Sequence, residues 1–492
     1  MPKLCLVTGA TGYVGGRLVP HLLAAGHRVR ILVRHPERVS QMKWADQVEI
    51  YSGDANDADA VSKAMQDVDV AYYMIHSIGS AGDFEKLERE TATTFANCAK
   101  QANVKRIIYL GGLQNDPKLS KHLRSRAEVG NIFLKSGVPT IAFGAAVILG
   151  SGSLSFEMLR YLTERLPAMI TPRWVRTKIQ PIAVRDVLRY LTEAAVLEPD
   201  LNRTFDIGGP DILTYEEMMQ VYARVAGLRK RIIWPINILS PGLSARWIGL
   251  VTPVPKAIAR PLVDSLKTEV VCAENDIKAY IPDPPEGLVN FEDAVGLALQ
   301  RIREAAVTTR WSSASMPGAP SDPLPTDPAW AGGSLYIDER EVESGASAES
   351  LWQVIEQIGG EHGWYSFPLA WETRGLLDRI FGGPGLRRGR RDPYRLVAGE
   401  TVDFWRVEEC DRGHLLRLRA EMLLPGLAWL ELEVKTQENG ETKYHQRAIY
   451  HPKGLAGHIY WWSVWPFHGI VFGSMVKNIT QAARDLDAKR AK

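Results

Sequence analysis

The sequence predicts two folded units, a doubly wound α/β unit with a parallel sheet and, after it, an α+β unit with an antiparallel sheet. Through roughly the first 300 residues, short apolar runs alternate with helical stretches, the pattern of a parallel sheet covered by helices on both faces. Residues 311–333 are rich in proline, serine, alanine and glycine, and predict a linker. Beyond the linker, apolar and polar residues alternate, as along strands with one face on a core.

A glycine-rich turn joins the first apolar run to the first helical stretch. Residues 4–7 are typical of a buried strand, and apolar residues recur at helical spacing after the turn. Gly9 permits a tight turn, Gly12 lets the backbone approach a pyrophosphate, and Gly15 allows close helix–strand packing. The helix amino terminus then offers unpaired N–H groups and the positive end of its dipole to phosphates. A glycine turn between a strand and a helix predicts a dinucleotide site of Rossmann type.

Further apolar runs and helical patterns extend this unit. They predict strands at residues 28–33, 48–51, 70–75, 105–110 and 140–143, and helices at 58–66, 84–101, 123–135, 156–166 and 215–226. Thr214 and Glu217 have the spacing of a capping box at the start of the last of these helices. Asp186 is predicted to cap another helix.

The end of the second strand distinguishes the two nicotinamide dinucleotides. A carboxylate there would hold the ribose 2′-hydroxyl of NAD, whereas an arginine accommodates the 2′-phosphate of NADP. This sequence has Arg34, with Arg38 one turn further on as a second cation, so we expect NADP(H); the alternative is a solvated arginine at a strand end. Asp54 follows the third strand and could accept a hydrogen bond from the adenine amino group, or could form a plain turn with Gly53.

Residues 1 to about 300 resemble the NmrA-like, atypical branch of the extended short-chain dehydrogenase/reductase family. The resemblance rests on residues 8–15, 33–34, 53–54, 181–187 and 205–210. It implies a nucleotide-binding oxidoreductase with Arg34 at the 2′-phosphate, Asp54 at the adenine, and the backbone near Ile75 and His76 beside the nicotinamide. The residues that it assigns to the phosphates are Gly9, Thr11, Gly12, Tyr13, Val14 and Gly15.

The chain departs from that family at its catalytic signature. Working members place a serine just after the fifth strand and a Tyr-x-x-x-Lys on the next helix, whereas here Gly111 and Gly112 follow the strand. Aligning the flanking residues puts His122 at the tyrosine position and Arg126 at the lysine position. A histidine can transfer protons near neutrality, although a guanidinium one turn away disfavours the imidazolium. The alternative is that both residues form an ordinary exposed pair on a helix surface.

Composition excludes several classes of function. The net charge is +2, from 59 Lys and Arg against 57 Asp and Glu, so no overall field points to nucleic acid. The four cysteines lie far apart without metal or disulfide spacing, which favours a reducing cytoplasm and no metal site. The first strand begins by Leu4, which leaves no room for a signal peptide.

The second unit is predicted to contain a strand and a helix, then an antiparallel run, then a long helix. The strand candidates are residues 334–340, 400–408, 414–422, 428–436 and 441–451, and the helix candidates are 348–358 and 465–486. This order resembles the helix-grip fold of the START and polyketide-cyclase (SRPBCC) superfamily. Residues 363–366, 402–407 and 461–462 resemble an uncharacterised domain family often fused behind NmrA-like modules. The linker composition and the resemblances together predict domains at 1–310 and 334–490, with the linker at 311–333.

Three features of the chain leave alternatives open. Residues 385–392 concentrate four arginines that could grip an anion, or form a solvated loop. The apolar stretch 234–261 could wall a lipophilic cleft or pack against the sheet. Residues 459–476 carry no formal charge apart from a protonated His468; they could span a membrane, touch one peripherally, or form an amphipathic helix over a cavity.

The leading hypothesis is an NADP(H)-binding oxidoreductase that acts on or senses a small apolar molecule, such as a quinone or a carbonyl compound. The alternative is a non-catalytic, NADP(H)-sensing or ligand-binding protein, which the missing tyrosine and lysine favour. A membrane-attached scaffold is a third class. The sequence leaves the oligomeric state open.

Overall fold

A computed structural model describes residues 2–40, 42–76, 84–114, 120–198, 200–236, 268–306, 335–366, 390, 392, 394–437 and 440–490. The chain divides into two compact units, Met1–Gly333 and Ser334–Lys492. The predicted linker, most of the apolar stretch 234–261 and most of the arginine loop 385–392 lie outside the described residues.

The amino-terminal unit is built on a parallel sheet, as predicted. Its strands are β1 (Leu4–Thr8), β2 (Arg28–Val33), β3 (Glu49–Ser52), β4 (Val70–Tyr73), β5 (Arg106–Gly112), β6 (Thr140–Ala145), β7 (Ile148–Leu149), β8 (Ala168–Pro172), β9 (Lys178–Ile179), β10 (Ile182–Ala183), β11 (Arg203–Ile207), β12 (Leu213–Thr214) and β13 (Ile232–Ile236). Seven of them form the main sheet in the order β11-β6-β5-β4-β1-β2-β3. The order reverses beside β1, and in sheets of this kind ligands bind at such a switch point, outside the carboxyl ends of the strands.

Helices cover both faces of this sheet and extend the unit beyond it. They are α1 (Tyr13–Ala24), α2 (Ala58–Ala64), α3 (Phe84–Gln101), α4 (Lys121–Leu134), α5 (Leu154–Arg165), α6 (Val184–Glu193), α7 (Tyr215–Val225) and α8 (Phe291–Ala306). One core cluster joins the sheet to α1 and α6, and a second joins it to α2, α3 and α4. A third core, around α5, α7 and α8, lies beyond the main sheet.

Two predicted helix caps have opposite outcomes. The capping box at α7 is confirmed, since the Thr214 hydroxyl accepts the Glu217 N–H at 3.2 Å and the Glu217 carboxylate accepts the Thr214 N–H at 2.7 Å. The prediction that Asp186 caps a helix is wrong. Helix α6 already begins at Val184, so Asp186 lies within its first turn, and its carboxylate accepts the Val289 N–H at 2.9 Å.

The carboxy-terminal unit is built on an antiparallel sheet, also as predicted. Its strands are β14 (Tyr336–Glu343), β15 (Thr401–Val402), β16 (Trp405–Asp411), β17 (Leu415–Ala420), β18 (Gly426–Thr436) and β19 (Thr442–Pro452), in the order β14-β19-β18-β17-β16-β15. The helices are α9 (Ala348–Glu356) and α10 (Gly454–Arg490). Leu351, Ile355 and the α10 residues Met475 and Ile479 belong to the core that covers one face of the sheet.

Helix α10 begins at Gly454 rather than at residue 465 as predicted. Its first turns already pack on the protein, because Gly457 and Trp461 are buried there. A Cβ on Gly457 would lie 2.5 Å from the Pro425 carbonyl oxygen, so glycine allows the close approach. Among the described residues, no helix has the length and hydropathy needed to span a bilayer.

Candidate functional site

A cavity of about 530 Å³ lies at the carboxyl ends of the parallel strands, a volume in the usual range for small-molecule sites. It is lined by Gly9, Thr11, Gly12, Tyr13, Val14, Arg34, Asp54, Ile75 and His76, together with His122 and Arg126. The fold therefore brings every predicted site residue except Gly15 to one cavity. Gly15 packs in α1 against the glycine turn, where a Cβ would collide with the Gly9 carbonyl group.

The glycine turn has the backbone that a pyrophosphate requires. Gly9 has φ +74°, and a Cβ there would lie 2.5 Å from the Met74 carbonyl oxygen, so only glycine fits without a shift of β1 or β4. Gly12 precedes α1, and neither a side-chain cap nor an acidic residue occupies the first turn. The first N–H groups of α1 are thus available to an anion that lies in the cavity. These residues fit a dinucleotide.

At one end of the cavity, Arg34 follows β2 and its side chain is exposed. In the part of the chain that the structure describes, no carboxylate forms an ion pair with Arg34. Asp54 follows β3, and its Oδ1 accepts the N–H and the side-chain amide of Asn56 at 2.9 Å each. Asp54 therefore forms a turn. Its other carboxylate oxygen accepts no hydrogen bond from the described residues, so the adenine contact remains a prediction.

The opposite end of the cavity, at the carboxyl ends of β4, β5 and β6, holds two histidines. The rings of His76 and His122 lie 4.9 Å apart, centroid to centroid. Burial, and then the charge of Arg126, lower the pKa of His122 to about 4. Burial, Arg126 and His122 likewise lower the pKa of His76, although about a third of its side chain is exposed. The His122 imidazole is therefore neutral at pH 7, as the guanidinium one turn away predicted.

His122 and Arg126 are only 8% and 7% exposed, so the alternative of an exposed surface pair is wrong. The buried His122 Nδ1 has no hydrogen-bond partner within the described residues. A buried polar atom without a partner costs about 1–3 kcal/mol, so a ligand group that bonds to this atom would recover that energy.

Arg126 is a positioning residue for the wall of the cavity. It donates to the Ile75 carbonyl oxygen at 3.1 Å and to the Leu110 carbonyl oxygen, so it ties the chain after β4 to β5. Its guanidinium also lies over the Tyr109 ring, 4.8 Å from the centroid. Two of its donor groups are thus used by the protein.

The sequence reasoning missed Glu88, which is 3% exposed on α3. Its carboxylate accepts the Ser125 hydroxyl, and its other oxygen lies 3.9 Å from His76 Nδ1. Glu88 stands in a run of charged residues that is typical of a solvated helix face. The available signal was its spacing, since Glu88, Thr91 and Phe95 recur on one face of the helix, and all three are buried.

Comparisons with known proteins agree with this geometry. Residues 9–135 match a family model described as NAD(P)H-binding. The amino-terminal unit is an NAD(P)H-binding domain. Its fold is that of triphenylmethane reductase from Citrobacter sp., solved in complex with NADP(H), with a TM-score of 0.50 and 20% identity over 60% of this chain and all of that one.

Curated relatives match the same part of the chain. A mitochondrial NADH dehydrogenase (ubiquinone) 1 alpha subcomplex subunit 9 from Arabidopsis thaliana is 26% identical over 271 residues, 52% of this chain and 62% of that protein. The chain thus spans less than two thirds of this relative. A (4-alkanoyl-5-oxo-2,5-dihydrofuran-3-yl)methyl phosphate reductase from Streptomyces griseus is 25% identical over 54% of this chain and 87% of that protein.

The carboxy-terminal unit matches a different family. Residues 330–475 match a model described as a protein of unknown function (DUF2867).

Three histidines of the carboxy-terminal unit lie in separate places. His445 lies between Glu433 and Glu339, at 2.9 and 2.7 Å. His458 contacts the Tyr336 hydroxyl at 2.8 Å, and His468 lies beside Asp338 at 3.6 Å. Within the described ranges, no group of three metal-ligating side chains comes together.

Proposed function

We propose that the chain is an NADP(H)-dependent reductase whose acceptor is a small apolar molecule, a quinone or a carbonyl compound. The observation that carries the proposal is one continuous cavity, which runs from the exposed Arg34 past the glycine turn to the buried His122. A dinucleotide that spans it would have its adenine ribose at Arg34 and its nicotinamide near His76 and His122. Bound there, the nicotinamide supplies a hydride.

The charges along the cavity favour NADP(H) over NAD(H). Arg34 and Arg126 line it, and Asp54 is the acidic residue among its described lining. Arg34 stands where a carboxylate would serve NAD, and a guanidinium can bind a phosphate through two hydrogen bonds. The NADP(H) complex of the Citrobacter enzyme is consistent with this preference.

The lining at the β4–β6 end favours an apolar acceptor. Leu110, Leu123, Ala145, Ala146 and Ile148 line the cavity there, and they offer no side-chain hydrogen bond. A flat ring or an alkyl carbonyl compound could bury its apolar surface against them, and its oxygen could bond to His122.

His122 then acts as a neutral imidazole. With a pKa of about 4 it is not a charged acid at pH 7, but a neutral imidazole can still donate a hydrogen bond and polarise a carbonyl oxygen. The proton that completes the reduction comes through His122 or from solvent. His76, 4.9 Å away and partly exposed, offers a route to solvent.

The carboxy-terminal unit is proposed to be a helix-grip module that holds or presents the apolar ligand. Its strand and helix, antiparallel sheet and long carboxy-terminal helix support this assignment. We also propose a cytoplasmic location, which the four free cysteines support. Both proposals are open to direct test, by ligand binding to the full chain and by cell fractionation.

The test is NADPH oxidation by the purified chain against a panel of quinones and apolar carbonyl compounds. We expect turnover with at least one acceptor, a loss of about 10²- to 10⁴-fold in His122→Leu, and partial recovery in His122→Gln, which keeps a donor. Tight NADPH binding without turnover on any acceptor would contradict the proposed reductase activity and would identify the chain as a non-catalytic, NADP(H)-sensing protein.

A further inference from the structure

The amino-terminal half of α10 exposes large apolar side chains to solvent. Leu455, Ile459, Trp462 and Ile470 recur at helical spacing and are 41%, 61%, 63% and 59% exposed; Trp465 and Phe467 flank them at 44% and 62%. We call these six residues the apolar stripe. Single exposed apolar residues are ordinary, but a contiguous group marks an interaction site.

The segment that carries the apolar stripe has no charged residue except a lysine at each end. Residues 454–476 contain no Asp, Glu, Lys or Arg. Their two histidines turn towards the sheet, where His458 contacts the Tyr336 hydroxyl and His468 lies beside Asp338. Lys453 and Lys477 bound the segment and are both exposed. The outer side of the helix is therefore apolar, with a positive charge at each end.

The rest of α10 has an ordinary surface. Ile479 and Ala483 are buried in the core, while Lys477, Arg484 and Asp485 are exposed. The two halves of one helix thus cover the same sheet but present different surfaces outward. The apolar stripe is a property of its first half, not a general feature of the helix.

We infer that the apolar stripe lies flat on an anionic lipid surface. A helix with one apolar face and basic residues lies in the plane of the membrane interface, and tryptophan rings favour that depth. Lys453 and Lys477 would meet anionic headgroups. This inference does not depend on the proposed reductase activity.

The polar groups of the segment favour lipid over a protein partner. Protein interfaces combine an apolar centre with a polar rim and directional hydrogen bonds. Among exposed residues of this segment, the side chains that could make one are Ser463, whose hydroxyl already donates to the Tyr460 carbonyl oxygen at 2.6 Å, and the indole N–H groups of Trp462 and Trp465, which suit the polar boundary of a bilayer. A lipid surface needs no such directional partners.

The experiment is flotation of the full chain with vesicles of phosphatidylcholine alone and of phosphatidylcholine with phosphatidylglycerol. We expect binding to the anionic vesicles, and a loss of about tenfold or more in the double variant Trp462→Ser and Ile470→Ser, because both lose apolar contact area. Trp234→Ser is the matched control, since Trp234 is 66% exposed on β13 of the other unit; its binding should equal that of the unmodified chain.

A second variant separates charge from apolar burial. Lys453→Glu combined with Lys477→Glu should weaken binding to the anionic vesicles several-fold and leave weak binding to neutral vesicles unchanged. No binding of the unmodified chain to either vesicle would overturn the inference, as would equal losses in the stripe variant and in Trp234→Ser. A vesicle-independent dimer that the stripe variant abolishes, without vesicle binding, would assign the surface to a second copy of the chain instead.

Discussion

The two ends of the cofactor cavity use opposite electrostatic means. At the proposed adenine end, Arg34 is exposed and forms no ion pair with a described residue. At the β4–β6 end, His122 is 8% exposed and burial lowers its pKa to about 4, so its imidazole is neutral. A solvated cation can distinguish a ribose 2′-phosphate from a 2′-hydroxyl, whereas a buried, neutral imidazole can bond to an uncharged acceptor. The fold joins the two ends through the glycine turn.

A substitution that distorts the glycine turn should displace the cofactor from both ends of the cavity, so we expect it to have the largest effect on NADPH affinity. In Gly9→Ala the new Cβ would press on the Met74 carbonyl oxygen from a backbone of positive φ. Overpacking and strain of this kind cost roughly 3 kcal/mol together, about a hundredfold in affinity, and NADPH titration followed by fluorescence measures it. Gly26→Ala is the control, since Gly26 also has positive φ but has no atom near its Cβ. Equal losses in both variants would contradict the proposed role of the close approach.

Reversing the charge at the adenine end should exchange the cofactor preference. One charge-assisted contact is worth about 1.5–3 kcal/mol, so Arg34→Glu should weaken NADPH about ten- to a hundredfold and leave NADH nearly unchanged. Arg38→Glu makes the same charge change four residues on, outside the described cavity lining, and should have a smaller effect. If the unmodified chain binds NADPH and NADH equally, Arg34 does not select the cofactor.

The buried end should make the chain sensitive to acid. Because the pKa of His122 is lower in the folded chain than the ordinary 6.5, its contribution to stability is complete above pH 6.5 and is lost as the pH falls towards 4. His122→Gln should therefore flatten the pH dependence of the free energy of unfolding between pH 7 and 4.5 by about 2 kcal/mol. Urea titrations without nucleotide measure this slope. His35→Gln, an exposed histidine after β2, should leave it unchanged.

A smaller effect distinguishes the two roles of Asp54. Asp54→Asn keeps an oxygen for the Asn56 turn but replaces the free carboxylate oxygen by an amide N–H₂ group. If the adenine amino group donates to Asp54, the variant should lose about 1 kcal/mol, a few-fold in NADPH affinity. Calorimetric titration would resolve such a loss. Unchanged affinity would identify Asp54 as a turn residue alone.

The adenine end was predictable because local sequence determines it. A strand, a glycine turn and a helix place Gly9, Gly12 and Arg34 with little help from distant residues, and the sheet order then brings Asp54 beside them. The prediction that Asp186 caps a helix was wrong because α6 begins two residues earlier, at Val184. Local sequence does not determine a helix boundary to within one or two residues.

The opposite end could be predicted only in part. Alignment placed His122 and Arg126, but their burial depends on the packing of α4 against β5, and Glu88 enters from α3. The sequence in that region is polar, so its pattern resembles that of a surface helix. In the second unit, alternation predicted the antiparallel sheet, while the early start of α10 depends on contacts of Gly457 and Trp461 that no local pattern records.

Arg126 and His122 stand one turn apart on α4 with separate duties. The bonds from Arg126 to the main chain near β4 and β5 fix the shape of the wall, and His122 contributes the nitrogen without a partner that we propose a ligand meets. Arg126 thus acts on the shape of the wall and, through its charge, on the pKa of His122, whereas the ligand contact is proposed for His122 alone. Residue 122 can therefore be varied, by design or by natural substitution, while Arg126 keeps the wall of the cavity in place. Such substitutions would change the group offered to a ligand without loss of the cavity.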